Sequence, residues 1–366
     1  MSAAVTVAQS ETLIPDVRPI ALWVVPVADL GGVARHVLDV FTTGMTKYRL
    51  VLFCPEGKLA ERVRELGGAV ITAEFGPEAG FGASVRSLRR AIRSLQPAVV
   101  HSHLAYADFV AATAVAADPK VKLVSTEHGI AGDDSIYHSS DLKAQGRALA
   151  HSTRLKRANA LIAVSASTKR EMQRKWNAPD SVEVILNGVN PAESQTRTDA
   201  NGLKILSLSR LAPEKRIDHL LRAFHQLLKS EPTATLTIAG TGPEEAALKQ
   251  LATSLGVSQS VSFSGFVDSV EAMKEHDVLV QLSSWENCSY TLLDALREGM
   301  GVVATPVGGN PELVNDNSLV EAEDEDRIVE LILRQHSNRS SRPQLNSSWP
   351  TIAQMVISTE ELYERL

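Results

Sequence analysis

Two acids stand eight residues apart in SSWENCSYTLLDALREGM, residues 283–300. Glu286 follows an apolar run, and Asp294 sits inside a helical pattern. A carboxylate is an acceptor for two hydroxyl protons, and a pair of them at a strand end and on a helix of a soluble chain calls for a reason. A second constellation lies in LSRLAPEKRIDHLLRAF, residues 208–224, where Arg210 and Lys215 are five apart across a strand-to-helix turn. Both heads can reach the space above the strand end, where the first amides of the helix also point. Two cations and a positive dipole end would hold a diphosphate. A solvated loop with two surface cations predicts the same local sequence.

The glycines and histidines are less specific. IAGTGPEEAALKQL carries Gly240 and Gly242 after a strand, but position 245 is Glu where a dinucleotide fingerprint needs glycine. No acid is placed for a ribose in the usual way either, so a tight turn explains these glycines better than a nicotinamide cofactor. Gly31 and Gly32, between a strand and a helix, either let backbone approach a bulky ligand or serve a turn. HSH (101–103) and TEHG (126–129) end two strand candidates. No Asp, Glu or Cys stands at ligand spacing beside them, so no metal is expected. His128 suits a hydrogen-bonding group in a cleft. His101 and His103 fit structural positions as readily.

The elements that must carry these residues alternate. Strand candidates cover 20–26, 48–54, 69–72, 98–103, 122–128, 160–165 and 182–188. Helical patterns lie between them at 33–44, 58–66, 84–95, 105–116 and 166–176. The strands are short, rich in Val, Ile and Leu and often apolar on both faces, as in a parallel sheet covered on each side. NPAESQTRTDANG (190–202) has no period and reads as a linker. The alternation then restarts, with strands at 203–209, 234–240, 261–265, 277–283 and 301–306. Its helices lie at 215–229, 243–255, 268–275, 289–298 and 310–315. The expected architecture is α/β: two doubly wound domains, 18–189 and 203–348, facing each other across a cleft. Residues 1–17 read as a disordered tail and 349–366 as a helix following Pro350. In open α/β sheets ligands sit at the carboxyl ends of the strands.

Bulk properties narrow the class. The chain has 366 residues, 44% of them hydrophobic, enough for two cores. Its net charge of -6 argues against nucleic acid as a partner, although residues 1–195 carry +3 and the remainder -9. Two cysteines, Cys54 and Cys288, make no disulfide framework and suggest a reducing compartment. Neither a signal peptide nor a spanning apolar run is apparent, so a soluble cytoplasmic protein is expected. SVRSLRRAIRSL (84–95) has one apolar and one basic face. It reads as an ordinary sheet-packing helix, with peripheral contact to the inner face of a membrane as the other reading.

Taken in order, GGVARHV, VVHSH, STEHG, LIAVSASTKREM, VEVILNGVNP, LSRLAPEKRID, LTIAGTGPEEAAL, VSFSGFV and WENCSYTLLDALREGMGVVATPVGGNPELV carry a resemblance. The chain resembles the retaining glycosyltransferases of family 4 over about residues 20–366. The resemblance implies the GT-B architecture of two Rossmann-like domains, with a C-terminal helix returning to the first. It implies transfer of a sugar from a UDP- or GDP-sugar, with no metal and no further cofactor, to a glycan or lipid-linked hydroxyl. Polysaccharide or glycoconjugate biosynthesis is the implied setting. Glu286 would bond sugar hydroxyls, Asp294 the ribose, and Arg210 with Lys215 the diphosphate. His128 would cap the sugar, and Gly31 and Gly32 would let backbone approach donor or acceptor. Gly265, Phe266 and Val267 would lie beside the base, with Asn287 and the amides around Ser289 and Tyr290 facing the donor. Three positions depart from the family's habit: Asp294 replaces Glu, Asn287 replaces Gly and Gly301 replaces Pro. A sugar-nucleotide-binding partner subunit without turnover is the alternative from another class.

Overall fold

The computed structural model describes residues 17–116, 118–130, 150–192 and 202–366. The expected tail and most of the expected linker lie outside these residues. Seven parallel strands form the first sheet: β1 (Ile20–Val24), β2 (Arg49–Cys54), β3 (Ala69–Thr72), β4 (Val99–His103), β5 (Lys122–Glu127), β6 (Ala160–Ala163) and β7 (Glu183–Val184). Their order is β3-β2-β1-β4-β5-β6-β7. Five more form the second: β8 (Lys204–Leu208), β9 (Thr235–Ala239), β10 (Val261–Gly265), β11 (Val278–Gln281) and β12 (Gly301–Ala304), in the order β10-β9-β8-β11-β12. The fold is α/β with two doubly wound sheets, as the alternation predicts.

The alternating faces of β1 show why. Ala21 and Trp23 face a cluster with Val37 and Val40 of the helix Gly32–Thr43, whereas Leu22 and Val24 face Leu88 and Ile92 of Phe81–Leu95. Both faces are covered, so the strand is apolar throughout. The second sheet repeats this. Ile205, Val278 and Val280 pack on one side with Leu220 and Phe224 of Ile217–Leu227, and Leu206, Leu279 and Val302 pack on the other with Leu292 and Leu296 of Tyr290–Arg297.

The last helix, Ile352–Glu364, starts at a reciprocal cap between Thr351 and Gln354 and joins the first core through Met355, Val356 and Tyr363. Trp23 Nε1 donates to Tyr363 Oη at 3.0 Å, so the chain's end is bonded to its first strand.

The strand order reverses at β1 and at β8. These switch points open crevices at the carboxyl ends of the strands. Gly31 and Gly32 follow β1, His103 ends β4 and His128 follows β5. Arg210 and Lys215 follow β8, and Glu286 follows β11, the neighbour of β8. The topology therefore gathers the candidate residues at the two switch points.

Candidate active site

Lys215 ends a short 3-10 turn, Pro213–Lys215, and Arg216 then takes a left-handed φ of 51° before the helix Ile217–Leu227 begins. The turn aims Lys215 across the sheet edge. Its Nζ donates to Glu286 Oε1 at 2.6 Å, with side chains only 18% and 13% exposed. Ser284 N donates to Glu214 O at 2.8 Å and fastens the β11 loop to the same turn. Gly308 has φ +54°, and a Cβ there would overlap the Glu286 carbonyl, so close backbone packing fixes Glu286 from behind. Arg210 Nη2 donates to Glu214 Oε1 at 2.5 Å, and its side chain is 65% exposed. The cation pair expected from spacing thus divides: Lys215 meets Glu286, and Arg210 stands at the open rim.

The helix Tyr290–Arg297 starts with Ser289, whose Oγ accepts from Leu292 N at 3.2 Å and from Gln281 Nε2 at 3.0 Å. Asp294 is buried, and its carboxylate accepts from Arg35 Nη1 at 3.0 Å and Nη2 at 3.4 Å. Arg35 belongs to the first domain. Its Nε also donates to Asp39 at 2.8 Å, and its guanidinium lies 5.3 Å from the Tyr290 ring centre. Burial pushes the Asp39 carboxyl up to about 6 against the pull of Arg35. Other bonds cross between the domains. Asn287 Oδ1 accepts from Thr168 Oγ1 at 3.1 Å and Ile130 N at 3.3 Å. Glu312 accepts from Ala166 N at 3.0 Å and Ser167 N at 2.7 Å, at the start of the helix Ala166–Trp176. A carboxylate is favoured there by the unpaired amides and the helix dipole.

His128 Nε2 and His103 Nδ1 lie 2.9 Å apart, one ring donating to the other. His36, from the first-domain helix, closes the group, and its Nδ1 is 3.3 Å from Tyr290 Oη of the second domain. Burial pushes His36 down to about 4 and carries His103 and His128 well below the usual imidazole range. His101 is drawn away: its nitrogens meet Tyr363 Oη at 2.5 Å and Thr126 Oγ1 at 2.7 Å, a structural position. Beneath His128, Glu127 accepts from Arg154 Nη2 at 2.7 Å, and burial pushes its carboxyl up to about 8. Arg154 also pairs with Asp108.

Gly31 and Gly32 are exposed, and a Cβ at either would meet nothing within 4 Å among the described residues. Gly265 takes φ +64°, its carbonyl accepts from Gly240 N at 2.7 Å, Phe266 is 77% exposed, and Val267 packs at the edge of the second core. These positions line the first-domain and second-domain rims respectively. A Cβ at Gly240 would overlap the Ser209 carbonyl, so close packing of two strand ends accounts for that glycine.

The sequence reading did not single out Arg35, His36, Glu312 or Arg154. His36 carried a usable signal, lying one turn after Gly31 and Gly32 at a switch point. Arg35 carried none, because its partner is 259 residues away.

Two family descriptions match the chain: Glycosyltransferase Family 4 over residues 30–193 and Glycosyl transferases group 1 over residues 191–348. An uncharacterized glycosyltransferase of Methanocaldococcus jannaschii is 35% identical over 172 residues, 42% of this chain and 44% of that protein. The matched region thus spans less than half of that relative. Glycogen synthase of Mycobacterium tuberculosis is 27% identical over 80% of this chain and 78% of its own length. Among solved structures, Anabaena HepE in complex with UDP and glucose superposes with a TM-score of 0.79 at 18% identity, covering 95% of this chain and all of that one. Sucrose-phosphate synthase from Thermosynechococcus elongatus gives a TM-score of 0.76 at 16% identity, covering 94% and 98%.

Proposed function

The chain belongs to the group 1 glycosyltransferases of family 4, and on that premise we propose that it moves a hexosyl group from a UDP- or GDP-sugar to a hydroxyl of a glycan or lipid-linked acceptor. The reading retains the anomeric configuration and uses neither metal nor cofactor. The observation that carries it is the Lys215–Glu286 pair, 2.6 Å apart at the carboxyl ends of β8 and β11. A cation for the departing diphosphate and an acceptor for sugar hydroxyls stand side by side at a switch point.

In the proposed reaction the bond between the anomeric carbon and the diphosphate oxygen breaks, and the diphosphate leaves with the bonding electrons. Lys215 and Arg210 stabilise that growing charge, which is where preorganised charge counts most. The acceptor hydroxyl attacks from the face the diphosphate vacates. Its proton passes to a diphosphate oxygen, so no protein base is consumed. Glu286 orients the sugar by accepting its hydroxyls and does not act as nucleophile, unlike an acid of a retaining glycosidase. His128 caps the sugar from the first domain. Asp294 takes the ribose with the lone pairs that Arg35 leaves, or after Arg35 withdraws.

A thermal-shift screen with UDP, GDP, ADP, their sugar conjugates and NAD tests the donor site. A ligand at a hundred times its dissociation constant adds about 2.7 kcal/mol. One nucleoside diphosphate should shift the melt in the wild type and much less in Arg210→Ala. A shift with NAD alone would end this reading. The second reading, a donor-binding subunit without turnover, draws on Asp294 being held by Arg35. Binding that persists while a broad acceptor set yields no product would favour it.

A further inference from the structure

His36, His103 and His128 come from three different elements and meet in front of the first sheet. One ring nitrogen of each lies within 4.8 Å of the other two. His36 and His103 are 5% and 0% exposed. Nε2 of His103 is buried with no hydrogen-bond partner among the described residues. A buried polar atom left unpaired is costly, so the group as it stands is not a fully satisfied structural cluster. Trp23 closes the floor, its ring centre 4.4 Å from that of His103. The sequence reading paired His128 with His101 and His103. The structure replaces His101, which is already doubly bonded, with His36.

We propose that His36, His103 and His128 form a site for a divalent transition metal of the zinc class, open at a fourth position. Three imidazoles and a water are a donor set such ions use, whereas magnesium and calcium require oxygen ligands. Metal–nitrogen bonds of about 2.0–2.1 Å place tetrahedral nitrogens roughly 3.3 Å apart. The 2.9 Å His103–His128 pair must therefore open slightly and the third ring draw in. One ring now donates its N–H across the His103–His128 contact, so on metal binding that proton must move to the outward nitrogen of its ring, which for His103 is the unpaired Nε2. For His36 that nitrogen is Nδ1, and Tyr290 Oη, 3.3 Å away, becomes its outer partner. Tyr290 belongs to the second domain, so metal binding and domain contact are coupled. Resting on the proposed role of His128 as the sugar's cap, the metal takes that ring out of the donor pocket. The site then works as a brake: the metal represses transfer and competes with the donor.

The test uses the full chain freed of metal by a chelator and dialysed. Co2+ titration should give the intense visible bands of a tetrahedral nitrogen site, and calorimetry with Zn2+ should give one equivalent. His36→Ala should weaken binding at least tenfold. Tyr290→Phe, which leaves every ligand in place, should weaken it about 10- to 100-fold. Zn2+ should inhibit transfer with the same midpoint as binding. Binding unchanged in both variants, or no binding at all, overturns the site. The metal-free UDP shift keeps the two ideas separate: a UDP shift without metal binding removes only this inference. Metal binding without any nucleotide shift removes only the donor reading.

Discussion

Lys215 and Glu286 are 71 residues apart in sequence and share one hydrogen bond. Lys215→Ala leaves the carboxylate next to the diphosphate path without its cation. Transfer should fall about 10²–10³-fold, the usual cost of one charge-stabilising donor. Single-turnover measurement beside a thermal melt separates this from unfolding, and near-normal turnover would remove Lys215 from the chemistry. Arg35→Ala acts differently. It removes the closer of two cations from Asp294, a carboxylate with only 4% side-chain exposure that keeps Arg297 Nη1 at 3.6 Å, and the cation from Asp39. Breaking such a pair should cost about 3 kcal/mol, read in a denaturant titration. A double-mutant cycle with Asp294→Asn checks that the loss runs through that carboxylate, and additive effects would deny it. The two thiols make a further expectation. Burial pushes both Cys54 and Cys288 up to about 12. At pH 8 roughly one thiol in ten thousand is then the reactive thiolate, so a thiol reagent should count none in the native chain and two after unfolding.

Strands were the legible elements, because burial on both faces leaves an unbroken apolar run that periodicity can find. All twelve lie within two residues of their expected starts. Two errors have local causes. The helix expected from 215 begins at Ile217, since the left-handed Arg216 separates it from the Pro213–Lys215 turn. The helix Glu325–Ser337 was missed, although Asp324 caps it and Ile328, Leu331 and Ile332 have helical spacing. The basic helix Phe81–Leu95 packs its apolar face as an ordinary sheet-covering helix does. Its outer face is less ordinary. Arg86, Arg90 and Arg93 are exposed with no ion-pair partner among the described residues, and Phe81 at its start is 46% exposed. No helix among the described residues is long and apolar enough to cross a membrane. Contact with an anionic surface, if this helix makes it, is worth about 1 kcal/mol per basic residue. Replacing all three with Gln should then cut co-sedimentation with anionic vesicles on the order of a hundredfold. Equal sedimentation with neutral vesicles would leave the helix only its packing role.

At the scale of the molecule, the candidate site was legible within each domain and not between them. Acids eight apart and cations five apart are local spacings. Arg35 on Asp294, His36 beside Tyr290 and Glu312 on the helix Ala166–Trp176 are contacts between residues 146 to 259 apart, and no local pattern encodes them. Together with Asn287 and with Asn187 Nδ2, which donates to Cys288 O at 3.1 Å, they tie the domains face to face. Glu312 is the best handle on this closure. Its carboxylate takes two amides at a helix start, and Glu312→Ala would leave those amides to water. The variant keeps Lys215, Glu286 and Arg210 intact. If a closed arrangement is the one that binds donor, opening it reduces apparent affinity by the fraction that remains closed. Glu312→Ala should therefore raise the donor KM with a smaller change in kcat, and should increase the radius of gyration in solution scattering without ligand. Saturating donor should restore the compact form. A larger radius with an unaltered KM would separate closure from donor binding, and an unaltered radius would show that the other cross-domain bonds hold the molecule closed without Glu312.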